Sequence, residues 1–461
     1  MPYKLDNLDH NIFRAYDIRG VVGSALTDAT VYHLGRAFAT QAKSQNVEYV
    51  CVAADGRISS PHLKQLLIEG LLDGGVEVGD VGYVATPVLY YAATHSDSLT
   101  GIMITGSHNP KDYNGFKMML AGNTLALEEI QQLKDIMLSE DYSEGEGNVE
   151  SLDVRGAYMQ SIISDIKLAR PLKTVVDCGN GIPGEMNPGL IEALGCEVTP
   201  LYCDVDGNFP NHHPDPGKLE NLLDCISEVK KQGADIGLAF DGDGDRVGIV
   251  TPKGNMVYAD RLMMLFAQDV LSRNPGAEII YDVKCSRLLN DIIKEAGGIG
   301  TMWKTGHSLI KRKMRESGAL LAGEMSGHVF FKERWFGFDD GLYAAARLLE
   351  ILAASDMDLD EIFAQFPEEL STPEINIQVS DDNKFDIIAK MQAKDFPGGN
   401  KNTIDGVRVD YPDGWGLIRA SNTTPVLVLR FEASTKEALA RIEQQFTEHL
   451  QTIDSSLTIS Y

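Results

Sequence analysis

A small hydroxyl, Ser107, sits in Thr105-Gly106-Ser107-His108-Asn109-Pro110, at the end of the apolar stretch 99–104. Gly106 opens backbone conformations closed to other residues, and Pro110 blocks regular structure beyond it. A serine held at a strand end is a candidate nucleophile once something activates it. A Ser/Asn turn that satisfies its own backbone fits the same residues. A second stretch, Asp241-Gly242-Asp243-Gly244-Asp245-Arg246, sets three carboxylates at alternate positions with bare glycines between them. Hard oxygen ligands in that pattern suit Mg²⁺. An EF-hand would need Gly at the sixth position and Glu at the twelfth, where this chain has Arg246 and Pro252. A merely solvated acidic turn is disfavoured, because three unpaired carboxylates so close repel one another.

Two further loops carry polar groups. Gly323-Glu324-Met325-Ser326-Gly327-His328 can exchange hydrogen bonds with vicinal hydroxyls, as a sugar site requires, and it also reads as an ordinary polar turn. Arg419-Ala420-Ser421-Asn422-Thr423-Thr424-Pro425 gathers a guanidinium, hydroxyls and an amide into a cradle suited to phosphate oxygens. Near the start, Arg14, Tyr16 and Arg19 precede a glycine-rich turn, and the planar fork of Arg19 suits a phosphate. Lys117 follows Ser107 by ten residues, close enough for a loop to fold it back beside the hydroxyl.

These loops need a scaffold, and the hydrophobic pattern supplies one. Helical periodicity over 29–45, an apolar strand over 49–54 ending at Asp55-Gly56-Arg57, and the strand over 99–104 follow the order of a βαβ sheet. A polar, glycine-bearing stretch over 139–148 reads as a linker or an exposed loop. Beyond it the pattern restarts, with strands at 173–178, 197–202 and 234–240 and helices at 188–194 and 219–232. A third unit begins near 253, with strands at 278–283 and 319–322, a strand-to-loop exit over 302–308 and a closing helix over 342–354. After a boundary at 367–373 come strands at 375–379, 407–409, 416–419 and 426–432 and a helix over 383–394. Ser434 and Glu437 predict a capping box opening the last helix, and Leu439, Ile442, Phe446 and Leu450 give it one apolar face. The expected fold is α/β: three similar mixed-sheet α/β domains (1–150, 151–252 and 253–367) and a C-terminal α+β domain (368–461). In open α/β sheets ligands collect beyond the carboxyl ends of strands, where these loops fall.

Composition narrows the partners. At 461 residues the chain exceeds one ordinary core, so several domains are required. A formal charge of -26 argues against nucleic acid or an anionic membrane, either of which needs a basic face. An anionic substrate would then need cations gathered locally. The six cysteines (Cys51, Cys178, Cys196, Cys203, Cys225 and Cys285) show neither CxxC pairing nor His spacing, which reads as reduced thiols in a reducing compartment. The first residues lack a signal peptide's apolar core, and the uncharged stretch 81–94 contains Pro87 and is too short to span a bilayer. A cytoplasmic location is expected.

In their order and spacing, TGSHNP (105–110), DGDGDR (241–246), GEMSGH (323–328) and RASNTTP (419–425) resemble the motifs of the α-D-phosphohexomutases. The resemblance covers essentially the whole chain and is strongest to the bifunctional phosphomannomutase/phosphoglucomutase group. It implies four domains around a central cleft: a phosphoserine, a metal-binding, a sugar-binding and a phosphate-binding domain. It implies that Ser107 is carried as phosphoserine, and that Asp241, Asp243, Asp245 and an oxygen on Ser107 bind Mg²⁺. Glu324 and Ser326 then read the sugar hydroxyls with His328 nearby, and Arg419, Ser421, Asn422 and Thr423 hold phosphate. Tyr16, Arg19, Lys117, Arg246, Lys284 and His307 match further contacts, and His108 adjoins the nucleophile. The implied activity interconverts hexose 6-phosphates and 1-phosphates of mannose and glucose, with hexose 1,6-bisphosphate as activator. The implied partners are small-molecule sugar phosphates, with no nucleic acid, no membrane and a monomeric chain. Rival readings are a relative specialised for glucosamine phosphate or glucose phosphate, a phosphatase relaying phosphate from Ser107 to water, and a sugar-phosphate binding protein. The last has no use for the serine and the aspartates together.

Overall fold

The computed structural model describes residues 3–422 and 424–459. Three successive mixed sheets share one plan. In the first, Tyr49–Ala54 runs parallel to Glu77–Tyr83 and Gly101–Ile104. Its residues from Val50 to Ala54 are fully buried, as the continuous apolar run of a sheet covered on both faces demands. Gly101–Ile104 then pairs antiparallel with Tyr113–Leu120. The second sheet sets Lys173–Asp177 parallel to Glu197–Leu201 and Ile236–Phe240, and Ile236–Phe240 antiparallel to Val247–Val250. The third sets Glu278–Asp282 parallel to Ile299–Trp303 and Leu321–Gly323, and Leu321–Gly323 antiparallel to Val329–Phe331. In every case the motif loop joins a parallel strand to an antiparallel return strand.

That return strand corrects one expectation. Lys117 is not folded back by a loop; it lies on Tyr113–Leu120, opposite Met103 in register. Ladder hydrogen bonds hold it more firmly than a loop would. The outer strands extend the sheets across the expected boundaries: Val149–Ser151 pairs with Glu77–Tyr83, and Met256–Val257 with Val247–Val250.

The fourth domain is a sheet ordered around Val426–Ala433 and Gly414–Ala420, covered by Lys384–Gln392 and Lys436–Ile453. The capping box predicted at Ser434 is absent. Ser434 donates to the carbonyl of Asp413 at the end of the sheet, so the helix opens one residue later, with Thr435 accepting from the Ala438 amide. Glu437 is then one position short of reaching back to the cap.

One continuous apolar core runs from the helix Thr86–Thr94 through the second and third domains, whereas the fourth keeps its own core around Phe431 and Phe446. Val283 packs with Trp415 and Leu417 where the third and fourth domains meet. Among the described residues no helix is long and apolar enough to cross a membrane.

Candidate active site

The serine turn is built by a buried carboxylate. Asp55, placed at the end of Tyr49–Ala54, accepts from Thr105 Oγ1 at 2.9 Å and from the Gly106 amide at 3.2 Å. Thr105 Oγ1 in turn accepts from the Ser107 amide at 2.8 Å. Ser107 sits at φ +48°, in the left-handed region an L residue adopts only when its surroundings impose it. Its Oγ donates to Asp241 Oδ2 at 2.9 Å and lies 3.2 Å from His108 Nδ1. Burial, followed by the charges of Arg246 and Arg19, holds His108 well below the usual imidazole range, so it is neutral.

Asp241, Asp243 and Asp245 are fully buried on the turn between Ile236–Phe240 and Val247–Val250. Gly242 must be glycine for this turn to meet the first domain, because a Cβ there would collide with the Ser107 carbonyl. Burial raises the pKa of Asp241 to about 7 against the opposing charge of Arg246. Arg246 donates from Nε to Asp241 Oδ2 at 3.1 Å and from Nη1 to Asp215 Oδ1 at 3.3 Å. Lys117 Nζ lies 2.6 Å from Asp243 Oδ2 and also contacts Asp245 Oδ2. Burial pulls the lysine's pKa down, but the two carboxylates more than offset it, so the ammonium keeps its proton.

The three aspartates each offer one ligand oxygen within 4.8 Å of the others. Asp243 Oδ1 is buried without a hydrogen-bond partner and Asp245 Oδ1 faces only the His328 imidazole at 3.4 Å, an arrangement that a hard divalent cation would satisfy. The residues present therefore fit Mg²⁺.

The third domain's turn reaches the same place. His328 Nδ1 lies 2.9 Å from Glu324 Oε2, and its Nε2 lies 3.4 Å from Asp245 Oδ1. Burial opposes its charge, but Asp245 and Glu324 raise its pKa to about 10. Ser326 Oγ lies 3.3 Å from Glu324 Oε2, and Glu324 Oε1 accepts from the Gly306 amide at 2.5 Å. His307 stacks on His328 and meets the edge of Tyr16 from the first domain. Arg19 bridges Asp17 and Asn109, each at 2.6 Å.

The fourth domain joins the third through Asp405 and Glu374. Arg419 Nε donates to Asp405 Oδ2 at 3.0 Å, and Asp405 also accepts from the Thr305 amide. Lys284 Nζ donates to Glu374 Oε2 at 3.0 Å. Lys384 donates to the carbonyls of Ser421 and Thr424, which shapes the loop bearing Asn422. Thr423 lies outside the described residues.

Direct contacts thus link the serine turn, the aspartate turn and the Glu324 turn, and Asp405 ties Thr305 of the third domain to the Arg419 strand. Sequence reasoning missed the buried Asp55, the less buried acids Asp405 and Glu374, and the hydroxyl of Thr86, which donates to Asp243 Oδ2 at 2.5 Å. Asp55 had a signal, standing directly after an apolar run. Glu374 and Asp405 had none, since their cationic partners are distant in the chain.

A serine oxygen beside a carboxylate cluster that fits a divalent cation, with Arg246 of the second domain and His328 of the third against the same carboxylates, is suited to phosphoryl transfer. The phosphoglucomutase/phosphomannomutase alpha/beta/alpha domains I, II and III match residues 10–144, 156–254 and 258–370. The C-terminal domain of the same family matches residues 374–449. The chain belongs to the phosphoglucomutase/phosphomannomutase family. A phosphomannomutase/phosphoglucomutase of Pseudomonas aeruginosa is 60% identical over 459 residues, covering 99% of both chains. A phosphoglucomutase of Neisseria gonorrhoeae is 54% identical over 445 residues, covering 95% of this chain and 96% of that one. The crystal structure of a phosphoglucomutase/phosphomannomutase family protein from Burkholderia thailandensis superposes with a TM-score of 0.93 at 50% identity, covering 99% of this chain and all of that one.

Proposed function

We propose that this chain is an isomerase interconverting the 6-phosphates and 1-phosphates of mannose and glucose through a phosphoserine at Ser107. Phospho-Ser107 gives its phosphoryl group to the free hydroxyl of a hexose phosphate, forming a bisphosphorylated sugar. That sugar turns over, and its other phosphate returns to Ser107. Hexose 1,6-bisphosphate acts as activator by rephosphorylating the serine. Asp241, Asp243 and Asp245 would hold Mg²⁺, which supplies charge neutralisation at the transferring group.

Arg246 and Lys117 place fixed positive charge beside the reacting oxygens, and a buried site makes such charges count for more than in water. Lys117, tied to two carboxylates, keeps its ammonium, so a neighbouring base takes the hydroxyl proton. Glu324 and Ser326 read adjacent hydroxyls, a feature common to both orientations of the sugar. Arg419, Ser421, Asn422 and Thr423 receive whichever phosphate is not reacting, helped by Tyr16, Arg19, Lys284 and His307. These cations answer the charge of -26, because they are concentrated where an anion must sit. The chain works as a monomer in the cytoplasm.

The observation that carries this reading is the contact of Ser107 Oγ with Asp241 Oδ2, a nucleophile touching the cation site. The test incubates the enzyme separately with mannose 1-phosphate, glucose 1-phosphate and glucosamine 1-phosphate, each with a trace of hexose bisphosphate. Isomers are expected from the first two with no build-up of inorganic phosphate. Steady phosphate release without isomers would instead indicate a phosphatase.

A further inference from the structure

Arg57 has none of the roles assigned above, yet it is only 2% exposed and faces the serine turn. Its Nη2 donates to the carbonyls of Ser107 at 2.8 Å and Asn109 at 2.7 Å. Its Nη1 donates to those of Pro110 at 2.6 Å and Tyr113 at 3.0 Å. Four carbonyls of a single loop therefore converge on one planar group. Nε lies 3.3 Å from Asp55 Oδ2, the carboxylate that organises the other side of the turn. The ring of Phe209, from the second domain, covers the guanidinium at 5.1 Å. Gly106 passes so close that a Cβ there would collide with the guanidinium.

We propose that Arg57 is the positioning residue of the serine loop, pinning the Ser107–Tyr113 carbonyls so that the Ser107 oxygen keeps its aim with or without a phosphoryl group. This rests on Ser107 being the phosphoryl carrier. The loop needs such a tie for two reasons. Ser107 holds a left-handed conformation that relaxation would abandon. Its charge also changes by nearly two units each time the phosphoryl group leaves or returns. Carbonyls bound to a rigid fork do not reorient in response. A lysine would supply charge but only a point donor, not a fork that reaches four acceptors.

The test compares Arg57→Ala, Arg57→Lys and Gly106→Ala with the parent enzyme. Arg57→Ala is expected to lose about 100-fold in kcat, the scale of a displaced reacting group, with KM moved by less than about 3-fold. Added guanidinium ion should restore part of that rate, which a general loss of stability would not allow. Amide deuterium exchange over 106–113 should quicken. Arg57→Lys should recover less than about a tenth of the parent rate. Parent-level kcat in Arg57→Ala, or full recovery by lysine, overturns the proposal. Should Arg57→Ala fail to fold, Gly106→Ala decides: it should show the same kcat loss at unchanged KM, and a parent-level kcat overturns the proposal. Ser107→Ala separates the two readings. If it stays active the phosphoryl carrier is wrong; if it is inactive while the Arg57 and Gly106 variants run normally, only the role of Arg57 falls.

Discussion

Ser107 Oγ donates a 2.9 Å hydrogen bond to Asp241 Oδ2, joining residues 134 positions apart on the turns of two different sheets. The contact exists because both turns leave buried parallel strands at their carboxyl ends, and because Gly242 offers no side chain to hold them apart. It places the Ser107 hydroxyl against the carboxylate cluster without any local sequence relation between them.

Ser107→Ala removes the hydroxyl oxygen that carries the phosphoryl group in the proposed scheme. Mutase turnover is expected to fall by at least about 10³-fold, while stability changes by only about 1 kcal/mol for the lost hydrogen bond. A coupled assay for 6-phosphate formation and a denaturant melt check the two halves. Unchanged turnover would remove the phosphoenzyme from the scheme.

Chelation of divalent cations should stop phosphoryl transfer and leave sugar-phosphate binding largely intact, since in the proposed scheme Arg419 and the Glu324 turn, not the aspartates, would hold the sugar phosphate. Calorimetric titration of the stripped enzyme with glucose 1-phosphate, beside the activity assay, reads both. Loss of binding together with activity would place the cation in the substrate clamp instead. Added Mg²⁺ should restore the rate.

Arg419→Ala should weaken binding of 1- and 6-phosphates alike, by roughly 10- to 100-fold for one charge-assisted hydrogen-bonding group. Measured affinities for both isomers check it. A defect confined to one isomer contradicts a shared phosphate clamp.

His212 gives a pH signature away from the reaction. Its Nε2 lies 3.1 Å from both carboxylate oxygens of the buried Asp177. Burial lowers the imidazole's pKa, but the hydrogen bond and charge of Asp177 outweigh it, leaving the group above its ordinary value. The folded chain then holds this proton more tightly than the unfolded one. The pair's stabilisation is complete below the unfolded value of about 6.5 and is lost as pH rises through the raised folded value. Urea unfolding at about pH 6 and about pH 9 should show a stability difference that His212→Gln flattens. An unaltered difference in that variant would assign the pH dependence elsewhere.

Much of the site was legible in sequence because its chemistry is concentrated. Three carboxylates at alternate positions, a serine after an apolar run and a basic-hydroxyl loop each occupy a handful of consecutive residues, and flanking runs such as Tyr49–Ala54 announce buried strands. The helix start at Thr435 was missed because the carbonyl of Asp413, in the turn before Gly414–Ala420, captured Ser434. The firm placement of Lys117 was missed because a strand's register depends on its partner.

By itself the order of residues determined the kinds of domain present, the loops that bear the reactive groups, and the ligand chemistry of the acidic turn. These follow from local periodicity and from side chains adjacent in the chain. Only the tertiary structure decided which groups neutralise which: Lys117 between Asp243 and Asp245, Arg419 on Asp405, Lys284 on Glu374, Arg57 on four carbonyls of the serine loop. Such pairings join residues from 14 to 128 positions apart. They are set by which sheet edges and turns pack together, and no local pattern in the sequence encodes that.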